Sequence, residues 1–371
     1  MRALVVGGTG PTGPGIVRGL LERGYEVAIL HRGSHESDAI PPEVEHIHTD
    51  PHFLEPLNDA LRGRAFDLVV ATYGRIRHVA AALVDKTPRL IAVGGTPLYR
   101  GLLEPASSFP TGLPVPVRED APQVESEAEN RFGYLIARTE RTVMAYHEAG
   151  RYAATVVRYP LVYGPHPFSS PVWQIVRRAL DHRPRIVLAD GGLTLLTRGY
   201  VDNVARAVLL CVDRPERASG RVYNCGDEDL LSLRQWVEII AATMGHEWEI
   251  VSLPDEVAAP VSSFVPFFGS SHHQVMDLTR IREELGYRDV VPVSEALPAT
   301  VEWFVEHADE VRAGEAESDR PGPSYEAEDA LAAIHGDSLE RMRRVDVAAP
   351  EVYHPYPHPR KAGLERDHRR R

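Results

Sequence analysis

The chain has 371 residues, of which 43% are hydrophobic and 25% charged, and its formal net charge is -12. This composition is that of a globular protein with one two-lobed unit or two domains, and the acidic balance argues against a nucleic-acid or membrane surface. Cys211 and Cys225 lie in apolar segments and are expected to be free thiols in a reducing cytoplasm. No apolar run reaches membrane-spanning length, so we expect a cytoplasmic protein without a membrane partner.

The first thirty-three residues predict a strand, a glycine turn, a helix and a second strand. Arg2 to Val6 is a short apolar run, and helical apolar spacing from Ile16 to Leu21 ends at Gly24. The turn between them lets a pyrophosphate approach the backbone at the start of a helix, which predicts dinucleotide binding. The residues of this turn expected to contact the cofactor are Gly7, Thr9, Gly10, Pro11, Thr12 and Gly13.

The second strand ends at His31 and Arg32, where an NAD-preferring site would carry a carboxylate for the ribose hydroxyls. A guanidinium at this place suits a 2′-phosphate. Both residues are therefore expected at the cofactor, with NADP(H) favoured over NAD(H), and a solvated surface arginine is the alternative interpretation.

Later strands are expected to add cofactor contacts, because ligands collect outside the carboxyl ends of parallel strands. The third strand spans residues 44–50 and ends where an adenine ring could rest, with a loop-capping aspartate as the alternative. The fourth strand spans residues 66–71 and the sixth 153–158. The contacts expected from these strand ends are Asp50, Ala71, Thr72, Tyr73 and Tyr159.

The rest of the chain alternates between helical and extended patterns. A fifth strand over 89–93 precedes an irregular Pro-rich loop and a long helix over 126–149. Further helices are predicted over 77–84, 172–181, 204–212, 233–244, 277–285 and 294–307, and strands over 185–189 and 221–225. After 308 the composition indicates a charged linker, an amphipathic helix over 324–342 and an irregular tail. The sparse spacing of His354, His358 and His368 in that tail predicts no metal site.

Five segments together resemble the extended short-chain dehydrogenase/reductase superfamily, specifically its NAD(P)-dependent epimerase/dehydratase branch. They are residues 7–13, 158–165, 201–205, 222–226 and 285–287. The resemblance implies an α/β fold with a Rossmann-type, doubly wound parallel sheet of seven strands and a smaller C-terminal substrate lobe. We accordingly assign residues 1–165 and 199–226 to the dinucleotide-binding domain, 166–198 and 227–308 to the substrate lobe, and 309–371 to the linker, helix and tail.

The family's chemistry uses a Tyr-x-x-x-Lys pair on the long helix and a serine or threonine after the fifth strand. Aligning the helix on its downstream Glu140-Arg141 places Phe132 at the tyrosine position, Ile136 at the lysine position and Gly95 at the serine position. The usual catalytic set is therefore broken in this register.

A second register keeps some of that chemistry. Tyr134 and Arg138 have the spacing Tyr-x-x-x-Arg, and Thr96 lies one residue from the serine position. Reaching this register requires a two-residue slip, which turns an α-helix by about 200°. Arginine would also be a poorer substitute for a compact lysine charge beneath a ribose.

Other polar residues follow the strands and could supply acid/base or binding groups. The alternative acid/base candidates are Tyr73, Tyr99 and His166, and the substrate-binding candidates are Arg198, His272 and His273. We predict an oxidoreductase, epimerase or dehydratase of a small hydroxylated or carbonyl compound with a non-standard acid/base set. The alternative is a non-catalytic NADP(H)-binding sensor or, less favoured, an RNA-associated relative. A homodimer through the helix over 126–149 is the expected assembly.

Overall fold

A computed structural model describes residues 1–34, 37–166, 171–258, 271–316, 323–348 and 362–363. It divides into two compact units, residues 1–324 and 325–371. Among the described residues, no helix has the length and apolar character needed to cross a membrane.

The strands of the first unit fall into one large and two small sheets. In chain order they are β1 Arg2–Val6, β2 Glu26–His31, β3 Glu45–His48, β4 Leu68–Ala71, β5 Arg89–Gly95, β6 Ala153–Tyr159, β7 Leu161–Tyr163, β8 Arg185–Ala189, β9 Arg198–Tyr200, β10 Arg221–Asn224 and β11 Glu249–Leu253.

The helices of the first unit connect and cover these strands. They are α1 Gly13–Glu22, α2 Leu54–Ala60, α3 Ile76–Ala82, α4 Glu127–Glu148, α5 Pro171–Leu180, α6 Val201–Asp213, α7 Pro215–Ala218, α8 Leu233–Met244, α9 Asp255–Ala258, α10 Thr279–Leu285, α11 Val293–Glu306 and α12 Ala308–Ala316.

The large sheet has seven strands in the order β10-β6-β5-β4-β1-β2-β3, and every pairing in it is parallel. One face packs against α1 and α6, and the other against α2, α3 and α4. Both faces of the central strands are therefore buried, which explains why β1, β2, β4, β5 and β6 carry continuous apolar runs. The doubly wound Rossmann-type sheet predicted from the sequence is confirmed.

A second hydrophobic cluster forms between α5, α8 and α11. Trp173, Trp236 and Phe304 lie at its centre, and β8 pairs with β11 beside it. Helix α8 begins at a capping box formed by Ser232 and ends at Gly245 with a φ of +61°, as its sequence predicts.

Six short strands and helices and the longer helix α12 were not predicted; the short ones are α2, β7, β9, α7, β11 and α9. Helix α2 contains a proline and has no side-chain cap, and β7 and β11 are three and five residues long. Residues 308–316, predicted to continue into a charged linker, form α12. Its Arg312 binds Asp181 and its Glu315 binds Arg177, so this segment belongs to the first unit.

The second unit contains one described helix, α13 Tyr325–Arg343, where the sequence predicts a helix over 324–342. The tail histidines His354, His358 and His368 lie outside the described residues.

Candidate active site

The glycine turn between β1 and α1 leaves no room for a Cβ atom at two of its glycines. Gly7 has a left-handed φ of +92°, and a Cβ there would lie 2.2 Å from Cβ of Tyr73. A Cβ on Gly13 would lie 1.8 Å from the backbone oxygen of Gly8. The turn therefore packs tightly at the start of α1, where the positive end of the helix dipole attracts phosphate. The same segment contains the remaining residues predicted there: Thr9, Gly10, Pro11 and Thr12.

The two residues predicted at the end of β2 take different environments. The side chain of His31 is only 4% exposed, and its Nε2 lies 3.1 Å from Nδ1 of His46 on β3. Arg32 is exposed, and its guanidinium lies 5.7 Å from the centroid of the Tyr73 ring. Arg32 rather than His31 is thus positioned to meet a ligand group above the sheet.

Asp50 follows β3 and caps its own loop. Its carboxylate accepts hydrogen bonds from the backbone N–H of His52 at 2.9 Å and from the ring Nδ1 of His52 at 2.7 Å. The bond from the backbone N–H is the main reason that the pKa of Asp50 lies below its usual range, and the charge of Arg32 adds to it. The geometry is that of the loop-capping alternative, with an ionised carboxylate facing Arg32.

A cavity of about 1080 Å³ opens at the carboxyl ends of β4, β5 and β6. Thr72, Tyr73, Thr96 and Tyr159 line it, as their place after the strands predicts. Thr72 also donates to the backbone oxygen of Val6 at 3.0 Å, which ties the end of β4 to the glycine turn. The cavity and the turn therefore both lie at the carboxyl ends of the sheet strands.

Helix α4 presents apolar side chains to this cavity. Phe132 and Ile136 both line it, and a Cβ on Gly95 would lie 3.7 Å from Cδ1 of Ile136. Tyr134 does not line the cavity, and the guanidinium of Arg141 lies 5.7 Å from the centroid of its ring. Phe132 and Ile136 of the first register therefore face the cavity, together with Arg138 of the second register, whereas Tyr134 does not.

The start of α4 is broken at one residue. Asn130 has φ −161° and ψ 113°, and its side-chain oxygen accepts a hydrogen bond from the backbone N–H of Gly133 at 2.8 Å. Asn130 therefore acts as a second N-cap inside the helix. The turn before it is capped separately by Ser126.

Two of the alternative acid/base candidates are not at the cavity. Tyr99 is fully buried, its hydroxyl donates to Asn224 at 2.7 Å and accepts from Arg158 at 2.5 Å, and burial raises its pKa to about 12. His166 is exposed, with its ring centroid 5.0 Å from that of Trp303. Neither residue lines the cavity, whereas Tyr73 does.

The substrate-binding candidates are also displaced from the cavity wall. Arg198 is buried with its guanidinium 4.1 Å from the centroid of the Trp236 ring, and burial lowers its pKa to about 10. His273 accepts a hydrogen bond from the backbone N–H of Leu195, and His272 packs near Gly112. The wall is instead formed by Gln274 and Met276 of the same segment and by Leu196 and Thr197.

The cavity has a positively charged wall, of which the sequence analysis named only Arg138, as a partner of Tyr134. Arg75 and Arg77 at the start of α3, and Arg131 and Arg138 on α4, all line it. Partial burial and then the charges of Arg138 and Arg75 lower the pKa of Arg77. A concentration of guanidinium groups in an acidic protein favours an anionic ligand. The packing of α3 against α4 assembles this wall from two separate segments.

Comparison with known proteins agrees with this geometry. The model of the NAD dependent epimerase/dehydratase family matches residues 106–226. The dTDP-glucose 4,6-dehydratase of Streptomyces griseus is 27% identical over 192 residues, which cover 52% of this chain and 52% of that protein. The chain spans about half the length of most of the curated relatives it matches.

Two solved structures share the fold. The UDP-glucose 4-epimerase of Thermotoga maritima has a TM-score of 0.67 at 21% identity and covers 83% of this chain and 100% of its own. The dTDP-glucose 4,6-dehydratase of Streptomyces venezuelae, solved with NAD bound, has a TM-score of 0.64 at 21% identity and covers 84% and 98%. The family match over residues 106–226 and the relatives make the chain similar to NAD dependent epimerases/dehydratases, and the two solved structures show that it shares their fold.

Proposed function

We propose that the protein is a nicotinamide-dependent enzyme that oxidises, epimerises or dehydrates a small hydroxylated or carbonyl compound, using a non-standard acid/base set. The observation that carries this proposal is the 1080 Å³ cavity at the ends of β4, β5 and β6, next to a glycine turn that fits a pyrophosphate. Relatives named as sugar-nucleotide dehydratases and epimerases support the reaction class.

NADP(H) is the favoured cofactor in this proposal. Arg32 stands exposed beside the Tyr73 ring at the end of β2, and His31 packs away against β3. A guanidinium at this place can pair with a 2′-phosphate, whereas ribose hydroxyls would be better held by a carboxylate.

The bound nicotinamide would supply hydride transfer, and the protein must hold and protonate the substrate oxygen. Phe132 and Ile136 exclude a phenolate and an ammonium from the α4 side of the cavity. The hydroxyl of Thr96, which lines the cavity at the end of β5, is placed to hold the substrate oxygen. Of the three alternative acid/base candidates, Tyr73 lines the cavity and is the one we propose.

The arginine wall points to a negatively charged substrate. Arg75 and Arg77 on one side and Arg138 on the other face the same cavity, and the protein as a whole is acidic. A phosphate or carboxylate on the substrate would relieve the repulsion between these cations. We therefore propose an anionic hydroxyl or carbonyl compound.

The test is a turnover screen of anionic alcohols and sugar nucleotides with NADP⁺, followed by variants of the two competing phenols. Tyr73→Phe should lower the rate by a factor of about 10²–10⁴, the usual contribution of a general acid or base. Tyr134→Phe is the matched control and should keep most of the activity, because Tyr134 does not line the cavity. A thousandfold loss in Tyr134→Phe with cofactor binding intact would overturn the register and make Tyr134 and Arg138 the catalytic pair.

The second candidate function is a non-catalytic sensor of NADP(H). It is favoured by the two apolar side chains, Phe132 and Ile136, at the positions where the family's chemistry needs a phenol and an amine. Tight binding of both oxidised and reduced cofactor, without turnover of any compound in the screen, would favour the sensor over the enzyme.

A homodimer through α4 remains our proposal for the assembly. Arg141 is exposed on this helix and does not line the cavity. Sedimentation of the protein with and without Arg141→Glu checks this: the variant should dissociate if the helix lies at the interface.

A further inference from the structure

Three histidines come together at the outer edge of the large sheet. His31 lies at the end of β2, and His46 and His48 lie on β3. One ring nitrogen from each lies within 4.8 Å of one from each of the others, and Nε2 of His31 is 3.1 Å from Nδ1 of His46. We refer to these three residues as the histidine triad.

Strand pairing explains why the side chains converge. His31 and His48 are direct partners in the parallel pairing of β2 with β3, and His46 lies two residues earlier on β3. Residues two apart on a strand face the same side, so both β3 imidazoles share the face of the sheet that His31 occupies. The buried Ile47 between them points to the opposite face.

The three rings are steeply inclined to one another. The three pairs of ring planes make angles of 77°, 89° and 86°, with centroids 5.0, 4.8 and 6.1 Å apart. In a tetrahedral site with metal–nitrogen bonds of about 2.05 Å, ligand nitrogens lie about 3.3 Å apart. The His31–His46 separation is close to this value, and the exposed His48 needs only a small side-chain movement to complete the set.

We propose that the histidine triad binds a late first-row divalent cation, with Zn²⁺ as the reference metal. Imidazole nitrogens suit Zn²⁺, Cu²⁺ and Ni²⁺, whereas Mg²⁺ and Ca²⁺ prefer oxygen ligands that this group does not offer. Three protein nitrogens leave one tetrahedral position for water, on the side where His46 and His48 are exposed. This departs from the expectation of no metal site, which considered only the tail histidines.

Binding requires a rearrangement of protons on His31. Nδ1 of His31 accepts a hydrogen bond from the backbone N–H of Gly33 at 3.2 Å, so Nε2 carries the proton and donates it toward His46. A metal at Nε2 displaces this proton, and the weak bond from Gly33 is lost as Nδ1 becomes the protonated nitrogen.

The test uses the untagged full-length protein, stripped with a chelator, and titration calorimetry with ZnCl₂. The wild type should bind one Zn²⁺ tightly, and Co²⁺ at the same site should give the visible absorption of four-coordinate cobalt. His46→Asn and His48→Asn should each weaken Zn²⁺ binding by more than about tenfold, the least that even loss of an outer ligand contact costs. Both positions are exposed on an edge strand, and circular dichroism in chelator verifies that the variants fold.

The matched control is the double variant His354→Asn/His358→Asn, which keeps the triad and removes tail imidazoles. It should bind Zn²⁺ like the wild type. A wild-type dissociation constant weaker than about 100 µM would overturn the proposal, as would unchanged affinity in both triad variants. Loss of binding in the tail variant would likewise overturn it and assign the metal to the tail. None of these outcomes depends on the proposed enzymatic function.

Discussion

The buried ion pair behind the cavity offers a quantitative test of the packing. Arg158 on β6 is 1% exposed and donates to both carboxylate oxygens of Glu140 on α4, at 2.8 and 2.5 Å. Its Nη1 also donates to the Tyr99 hydroxyl and to the backbone oxygen of Glu119. Glu140 is 7% exposed, so both charges are removed from water.

Removing one charge should cost far more than removing both. Glu140→Leu leaves the Arg158 guanidinium buried with two unpaired donors, a change that costs about 3–5 kcal/mol. In the double variant Glu140→Leu/Arg158→Met neither charge of this pair remains. The oxygen of Glu119 then loses a partner, while Tyr99 still donates to Asn224, so the cost should be about 1–3 kcal/mol.

Urea unfolding followed by circular dichroism gives both values from the midpoint and slope. The matched control is Asp59→Asn, which breaks an exposed ion pair with Arg62 and should change the free energy of unfolding by less than about 0.5 kcal/mol. The reasoning is refuted if Glu140→Leu lies within about 1 kcal/mol of the wild type, or if the double variant is as unstable as the single one.

Further predictions concern the cofactor, the helix α12 and pH. Arg32→Ala should weaken NADPH binding by about tenfold and leave NADH binding unchanged, because an exposed ionic hydrogen bond is worth about 1.5 kcal/mol. Equal losses of affinity for both cofactors in a fluorescence titration would contradict this. Gly13→Ala should abolish binding of both cofactors, because its Cβ would overlap a backbone oxygen, and retained NADPH binding by the folded variant would be inconsistent with the turn. A chain cut after Ala308 should melt at a lower temperature than one cut after Ser324, because only the shorter chain loses the ion pairs of α12. Equal melting temperatures would show that these ion pairs do not contribute to stability. Burial raises the pKa of Asp289 to about 6. Between pH about 4 and 6 the folded protein therefore binds more protons at this carboxyl than the unfolded chain does. The free energy of unfolding accordingly falls as the pH rises through this range. Asp289→Asn should therefore gain stability relative to the wild type from pH 4 to pH 7 in urea melts, and a constant difference would argue against the shift.

The sequence predicted those parts of the fold that local rules determine. The cap at Ser232 and the left-handed glycine Gly245 set the bounds of α8, and the apolar strand runs gave the parallel sheet. Short elements such as β7 and β11 carry too few residues for a periodic signal, and their pairing with distant strands stabilises them. The charged α12 escaped prediction because its contacts come from distant segments: its ion pairs reach Arg177 and Asp181, and its Val311 packs on the cluster of α5, α8 and α11.

The sequence could predict a cavity-lining residue only where that residue directly follows a strand of the sheet. Thr72, Tyr73 and Thr96 line the cavity because they follow strands. Tyr99 also follows a strand, but its hydroxyl is hydrogen-bonded to Asn224 and Arg158, which lie 125 and 59 residues away in the chain. Contacts at that separation leave no local pattern, and the arginine wall likewise combines α3 and α4, two segments far apart in the chain.

The break at Asn130 separates the first turn of α4 from the part of the helix that lines the cavity. The turn before it is held by its own cap and by the Arg100–Glu129 ion pair, while the helix after it is anchored through Glu140 to Arg158. A residue added to or deleted from the first turn would be absorbed at the break, without rotating Phe132 away from the cavity. Loop exchange in the segment before Asn130 is thus a route to new substrate specificity that leaves the long helix in register.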